Sequence, residues 1–281
     1  MNHLETVLSA PHSLWPLFCI LFGVGLLCSA GGFYRIVYFI SIGYGFSIAG
    51  MAITTALAYH SSVDALIGLQ LAGLLFYGLR LAGYLLVRER QPSYKKELAD
   101  IEQRGAHIKG AVKFAIWMSV ALLYVLMFSP AVFNLAARQQ GQALSLSSLW
   151  IGVPVMALGL FLESFADHEK SRFKASFPHR FCDVGSYRIV RCPNYLGEVI
   201  FWTGQLVAGI SAYGSWLAWA CAASGYLCIV LIMMGSAKRL EQKQDERYGS
   251  DPEYQSYTRR VPILFPLLPI YSFKNLKVYL G

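Results

Sequence analysis

Residues 74–88 read LLFYGLRLAGYLLVR. They close an apolar run that begins near residue 64, yet one arginine sits in the middle and a second at the exit. An apolar run of about 20 residues is long enough to cross a bilayer as a helix. An arginine at the centre of such a helix costs ~2.5–3.5 kcal/mol on insertion scales, so its presence calls for a reason. Helical spacing puts Tyr77, Arg80 and Tyr84 at i, i+3 and i+7, on one face. That stripe either lines a polar cavity or brings Arg80 to a carboxylate on a neighbouring span.

The same kind of run recurs along the chain. Of the 281 residues, 56% are hydrophobic and 14% charged, and the mean hydropathy is +0.45. A soluble domain carries about 25% charged residues. Apolar stretches near 13–30, 33–58, 64–87, 111–136, 146–165, 195–213 and 215–235 predict an all-α, polytopic membrane bundle of about seven transmembrane helices. Its expected organisation is a single integral membrane domain over 1–281. The flank of the first run, MNHLETVLSAPHS, has no Lys or Arg and no clear cleavage site, so it is expected as a retained helix rather than a signal peptide.

Charge placement sets the expected orientation. The net charge of +8 raises the question of nucleic acid, but the cations are not spread over a surface. Seven Lys and Arg lie in 88–113, six in 170–191 and eight in 238–277, leaving only Arg35, Arg80 and Arg138. Those regions follow the third, fifth and seventh runs and therefore share one side. By the positive-inside rule the segments 88–113, 166–194 and 236–281 are expected in the cytoplasm and the N-terminus outside. No nucleic-acid partner is expected. A bacterial plasma membrane is the expected location, since no Asn-x-Ser/Thr sequon is present.

Two inner segments carry the polar chemistry. Glu163 closes the fifth run, and Asp167, Lys170 and Lys174 extend its face by helical steps. The row reads either as a solvated helix end with ion pairs one turn apart, or as a cradle for a nucleotide. In a cradle, carboxylates would take sugar and base and cations would take phosphate. Arg172, Arg180, Arg188 and Arg191 are near in sequence, and arginine forks suit phosphate. Residues 191–198 then read RCPNYLGE, followed by VIFWTGQLVAGI. Pro193 fits the first turn of a helix, where its missing N–H has no partner to lose. Asn194 and Glu198 stand one turn apart, and Glu198 lies within the apolar part of the run. An amide and a carboxylate there can both meet a ligand amide. The bland alternative is a capped helix start with a snorkelling carboxylate. Six scattered His and six Cys without a CxxC pair predict no metal site.

RCPNYLGE resembles the RHPNYxGE signature of the steroid 5-alpha reductase C-terminal superfamily. The segment ESFADHEKSRFK (163–174) and the tail LEQKQDERYGSDPEYQSYTRRVPILFP (240–266) are similar to further parts of that pattern. The tail is also shared with isoprenylcysteine carboxyl methyltransferases. The resemblance covers most of 64–269. It implies about seven membrane helices around a cavity open to lipid, with NADPH entering from the cytoplasm. It implies reduction of a carbon–carbon double bond in a lipid-like enone or enoyl substrate. By motif, Asn194 and Glu198 would hold the nicotinamide-ribose. Glu163, Asp167, Lys170, Arg172, Lys174 and Arg191 would serve adenosine and phosphates. Tyr77 would donate to the substrate carbonyl, with Arg80 and Tyr84 near the cofactor. Arg239 and Tyr254 of the tail complete the implied cofactor set.

The chain departs from the pattern twice. Cys192 stands where the family has His. No Asp or Glu lies between Glu5 and Asp64, where steroid reductases place a second-span Glu beside the catalytic Tyr. The second run offers Ser41, Tyr44, Ser47, Thr54 and Thr55 instead. Two other readings therefore stand beside the reductase: an S-adenosylmethionine-dependent methyltransferase of a membrane-embedded substrate, and a non-catalytic lipid-binding membrane protein.

Overall fold

The computed structural model describes residues 14–90, 107–140 and 147–277. Among these, eight α-helices follow in order: α1 Trp15–Ser29, α2 Ile42–Ala58, α3 Ala65–Glu89, α4 Gly110–Gln139, α5 Ser147–Ser176, α6 Pro193–Ala208, α7 Trp216–Tyr248 and α8 Pro252–Arg260. No strand is present among the described residues, as the run lengths predict.

Six segments are long and apolar enough to cross a membrane. They run from Trp15 to Phe33, Ile36 to Ala58, α3, α4, Ser148 to Ser176, and α7. Their outward faces are apolar and uncovered, with Leu57, Phe76, Trp150 and Leu227 all more than half exposed. This is the surface a lipid solvent asks for. The protein is an integral membrane protein built as an all-α polytopic bundle.

The sixth predicted run, 195–213, forms a helix of only 16 residues. At 1.5 Å per residue that is about 24 Å, less than the ~30 Å hydrocarbon core. Its end is set at Gly209, where the Tyr213 hydroxyl folds back to donate to the Leu206 carbonyl at 2.7 Å. The second predicted run, 33–58, is also broken. Ala30–Phe33 and Ile36–Phe39 are single 3-10 turns before α2 begins. Gly31 and Gly32 are poor helix formers, and Ser41 leaves helical geometry altogether, with φ −119° and ψ −97°. The mixed charges after Pro92 predict a short amphipathic helix at the surface, and that stretch lies outside the described residues.

Contacts divide the chain into two compact units. The first comprises Met1–Val153 and Leu206–Gly225, the second Pro154–Gln205 and Tyr226–Gly281. In the first, α2 packs chiefly on α3. The two backbones touch at Gly45 and Gly78: a Cβ added at Gly78 would stand 2.4 Å from the Gly45 carbonyl oxygen. Asp64 caps α3 by accepting from the Leu66 and Ile67 amides at 3.0 and 2.9 Å, and it pairs with Arg138 near the end of α4 at 3.3 Å. Deeper in, the Asn134 amide donates to Gln70 at 2.9 Å and to the Ala208 carbonyl at 3.1 Å.

The second unit is built around the crossing of α5 and α6. A Cβ on Gly159 would sit 2.3 Å from the Phe201 nitrogen, and one on Gly197 would sit 2.5 Å from the Glu163 nitrogen. Only glycine allows that approach. Helix α5 stays helical to Ser176, and the chain turns before Pro178. The described part of the tail after α8, residues 261–277, carries no helix. It docks instead through backbone pairs, with the Arg191 and Cys192 amides donating to the carbonyls of Pro262 and Ile263 at 2.9 and 3.0 Å.

Candidate functional site

In the second unit the glycine contact at Gly197 sets Glu163 of α5 directly against the residue before Glu198 of α6. Two carboxylates far apart in sequence thus come to one crossing. Glu163, Asp167 and Glu198 are all buried, at 5%, 8% and 6% exposure. Burying carboxylates is expensive unless charge and hydrogen bonds compensate. Such a set at a helix crossing marks a place where the fold accepts a cost for another purpose. Gln205 and Trp202, further along α6, are buried beside them in sequence.

Asn194 opens this face. It is half-buried, and its Oδ1 is a buried acceptor that no donor among the described residues meets. An orphaned buried acceptor costs ~1–3 kcal/mol. A ligand donor, such as a carboxamide NH2, would remove that cost. The residues implied for the nicotinamide end therefore fit a group of that chemistry.

The other implied cofactor residues fare differently. Lys174 donates to the Arg180 carbonyl and, at 2.8 Å, to the Tyr248 hydroxyl, with its ammonium also over the Tyr248 ring. Arg191 is 2% exposed and pairs with buried Glu241 at 2.8 Å, while also donating to the Tyr271 carbonyl. Glu241 in turn accepts from the Phe273 amide at 2.9 Å. Tyr254 is buried among Phe181, Tyr248 and Tyr257, and its hydroxyl donates to Asp245 at 2.9 Å. Burial first, and the Asp245 bond second, push its phenol above the ordinary range. Arg239 donates to the Ser236 hydroxyl at 3.0 Å on the surface, and Arg172 is exposed. Lys174, Arg191 and Tyr254 thus tie the loop, the tail and α8 together.

Glu169 is a structural residue that its sequence context conceals. Its carboxylate accepts from the Ser186 amide at 3.0 Å and from the Ser186 hydroxyl. Gly185, at φ +54°, makes room for it, since a Cβ there would overlap the carboxylate. The clasp pins the loop 183–192 to α5. No local pattern could announce it, because the partners are 17 residues apart.

Tyr77, Arg80 and Tyr84 belong to the first unit. Tyr77 is fully buried, while Arg80 and Tyr84 are half-buried. The Tyr77 hydroxyl donates to the Tyr44 hydroxyl at 2.9 Å. Tyr44 stacks on Tyr124 with centroids 5.2 Å apart, and the Tyr124 hydroxyl donates to the Phe39 carbonyl. The pairing follows from packing: Gly45 and Gly78 bring the helices together, and the residues before them, Tyr44 and Tyr77, are carried into reach. The second-span partner of Tyr77 is therefore a phenol.

Fold and site define a polytopic helical membrane protein with a buried acid–amide face near its basic segments. The chain belongs to the family described as "Protein of unknown function (DUF1295)", which matches residues 35–261. No curated protein and no solved structure matches it.

Proposed function

We propose that the protein is an NADPH-dependent reductase of a carbon–carbon double bond in a lipid-like enone or enoyl substrate, akin to the steroid 5-alpha reductase superfamily. The observation that carries the reading is the orphaned Oδ1 of Asn194 beside the buried carboxylates of the α5–α6 crossing. When bound, NADPH supplies the hydride for the beta carbon of the double bond. Asn194 accepts a carboxamide N–H, and Glu198 accepts the second. Asp167 and Lys170 continue the face toward ribose and phosphate. Arg172, exposed on the same helix, meets phosphate from solvent.

Tyr77 is the proposed proton donor. A phenol near the carbonyl stabilises the enolate as charge develops there. The Tyr77 hydroxyl donates its hydrogen bond to Tyr44 in this structure, so donation to a substrate requires that bond to reverse. In this reading Tyr44 serves beside Tyr77 where steroid reductases use a carboxylate, which favours a different unsaturated lipid as substrate. The basic segments 88–113, 166–194 and 236–281 lie in the cytoplasm in this reading, and the membrane is a bacterial plasma membrane.

The test is NADPH binding by the purified protein, followed by cofactor fluorescence. Glu198→Gln and Asn194→Ala are expected to abolish saturable binding without changing the melting temperature of the free protein by more than a few degrees. Unchanged NADPH affinity in both variants would remove the reading.

A further inference from the structure

A cleft of about 820 Å3 opens in the second unit between the loop 180–188 and helix α8. Three arginines line it: Arg180, Arg188 and Arg260. Arg180 is already neutralised, with its Nη2 3.1 Å from Asp183 and 3.4 Å from Glu253. Those are the two carboxylates of the cleft. Arg188 and Arg260 are held differently. Each donates its Nε to a backbone carbonyl, Arg188 to Asp183 at 3.4 Å and Arg260 to Ser256 at 3.3 Å. Neither makes an ion pair among the described residues. The Nε bond fixes each guanidinium plane and leaves its two terminal amino groups for something else.

Two positive forks that pair with neither cleft carboxylate, both taken by Arg180, select an anion. Planar forks match phosphate oxygens in a bidentate way, which a lone lysine does not. The volume falls in the ~300–1,000 Å3 range of small-molecule sites, so it admits a phosphate together with the group it esterifies. The wall is rigid: Tyr257 is anchored by its hydroxyl, which donates to the Tyr187 carbonyl at 2.7 Å, and Phe181 is buried in the aromatic cluster.

We propose that this cleft binds a phosphate-bearing anion through Arg188 and Arg260, at a site separate from the Asn194–Glu198 face. The phosphate has two possible sources, an anionic phospholipid headgroup or a soluble phosphate. The proposal does not depend on the reductase reading, because neither arginine belongs to the residues assigned to NADPH there.

The experiment uses the full chain purified in a neutral detergent at fixed ionic strength. Melting temperature is titrated with dihexanoyl phosphatidylglycerol, dihexanoyl phosphatidylcholine and inorganic phosphate. The proteins are the unsubstituted chain, Arg188→Gln/Arg260→Gln, and Arg259→Gln as a control outside the cleft. The expected result is stabilisation by phosphatidylglycerol or phosphate, at least about tenfold weaker in the double variant, and unchanged in the control. A response to phosphatidylglycerol alone assigns the phosphate to a lipid headgroup; an equal response to inorganic phosphate assigns it to a soluble source. Equal responses in the double variant, or equal stabilisation by phosphatidylcholine, would overturn the proposal. So would a selective loss of NADPH over NADH binding in the double variant, because the cleft would then be part of the cofactor site. Failure of NADPH to bind any of the proteins would count against the reductase reading alone.

Discussion

Cys192 occupies the position at which the resembling family carries His, and its environment decides what the exchange means. It is 3% exposed and packs with Ala237, Ile263, Leu264 and Phe273. Burial pushes its thiol from an ordinary 9.0 up to about 12. The folded chain therefore holds that proton more tightly than the unfolded one. Its contribution to stability is present below pH 9 and is lost as pH rises from 9.0 toward about 12. Cys192 is expected to resist iodoacetamide at pH 9 in the folded chain and to react once the chain is unfolded in denaturant, which peptide mapping would check. The tyrosine pair gives a second expectation. Tyr77→Phe deletes one buried hydrogen bond, worth about 1 kcal/mol. It is expected to leave NADPH binding intact and to abolish reduction of an enone. Equal turnover in Tyr77→Phe and the unsubstituted chain would take the proton-donor role from Tyr77.

Helices meet through glycine in both units, and that contact was not legible in the sequence. Gly45, Gly78, Gly159 and Gly197 read as ordinary membrane glycines in one dimension. Only the fold shows that Gly78 faces a carbonyl and Gly197 faces the Glu163 nitrogen. Gly78→Val is expected to destabilise the first unit by about 1–3 kcal/mol, as overpacking does, measured by thermal unfolding in detergent. Tyr44 shows the same limit. Its residue type was visible as one of the few polar groups of its run, but its pairing with Tyr77 depends on helix rotation. The Arg191–Glu241 pair is a further case, since Arg191 looks like a phosphate ligand when only its neighbours in sequence are known. Because the pair is buried, Arg191→Met alone is expected to cost ~3–5 kcal/mol by stranding the Glu241 carboxylate. Arg191→Met combined with Glu241→Leu is expected to cost less. A double variant no more stable than the single would mean the pair is not coupled.

The whole chain was more legible than its sites. Run length and hydropathy alone gave an all-α membrane bundle, and six apolar segments long enough to span bear this out. The break of α5 ahead of Pro178 and the turn at GSDP, residues 249–252, could also be read from the sequence; the helix α8 that starts there could not. The sixth run was not legible at its true length, because the fold-back of Tyr213 onto Leu206 is a tertiary contact. The proposed function rests on the acid–amide face of α5 and α6, where Glu198 is buried and the Asn194 Oδ1 meets no donor among the described residues. The most direct test is the melting temperature of the detergent-purified protein with NADPH, NADH or S-adenosylmethionine in parallel. A ligand that binds only the folded state adds about 2.7 kcal/mol at a hundredfold excess over its dissociation constant. The account predicts a clear rise with NADPH and none with S-adenosylmethionine. A rise with S-adenosylmethionine alone, or no rise with any of the three, would contradict it.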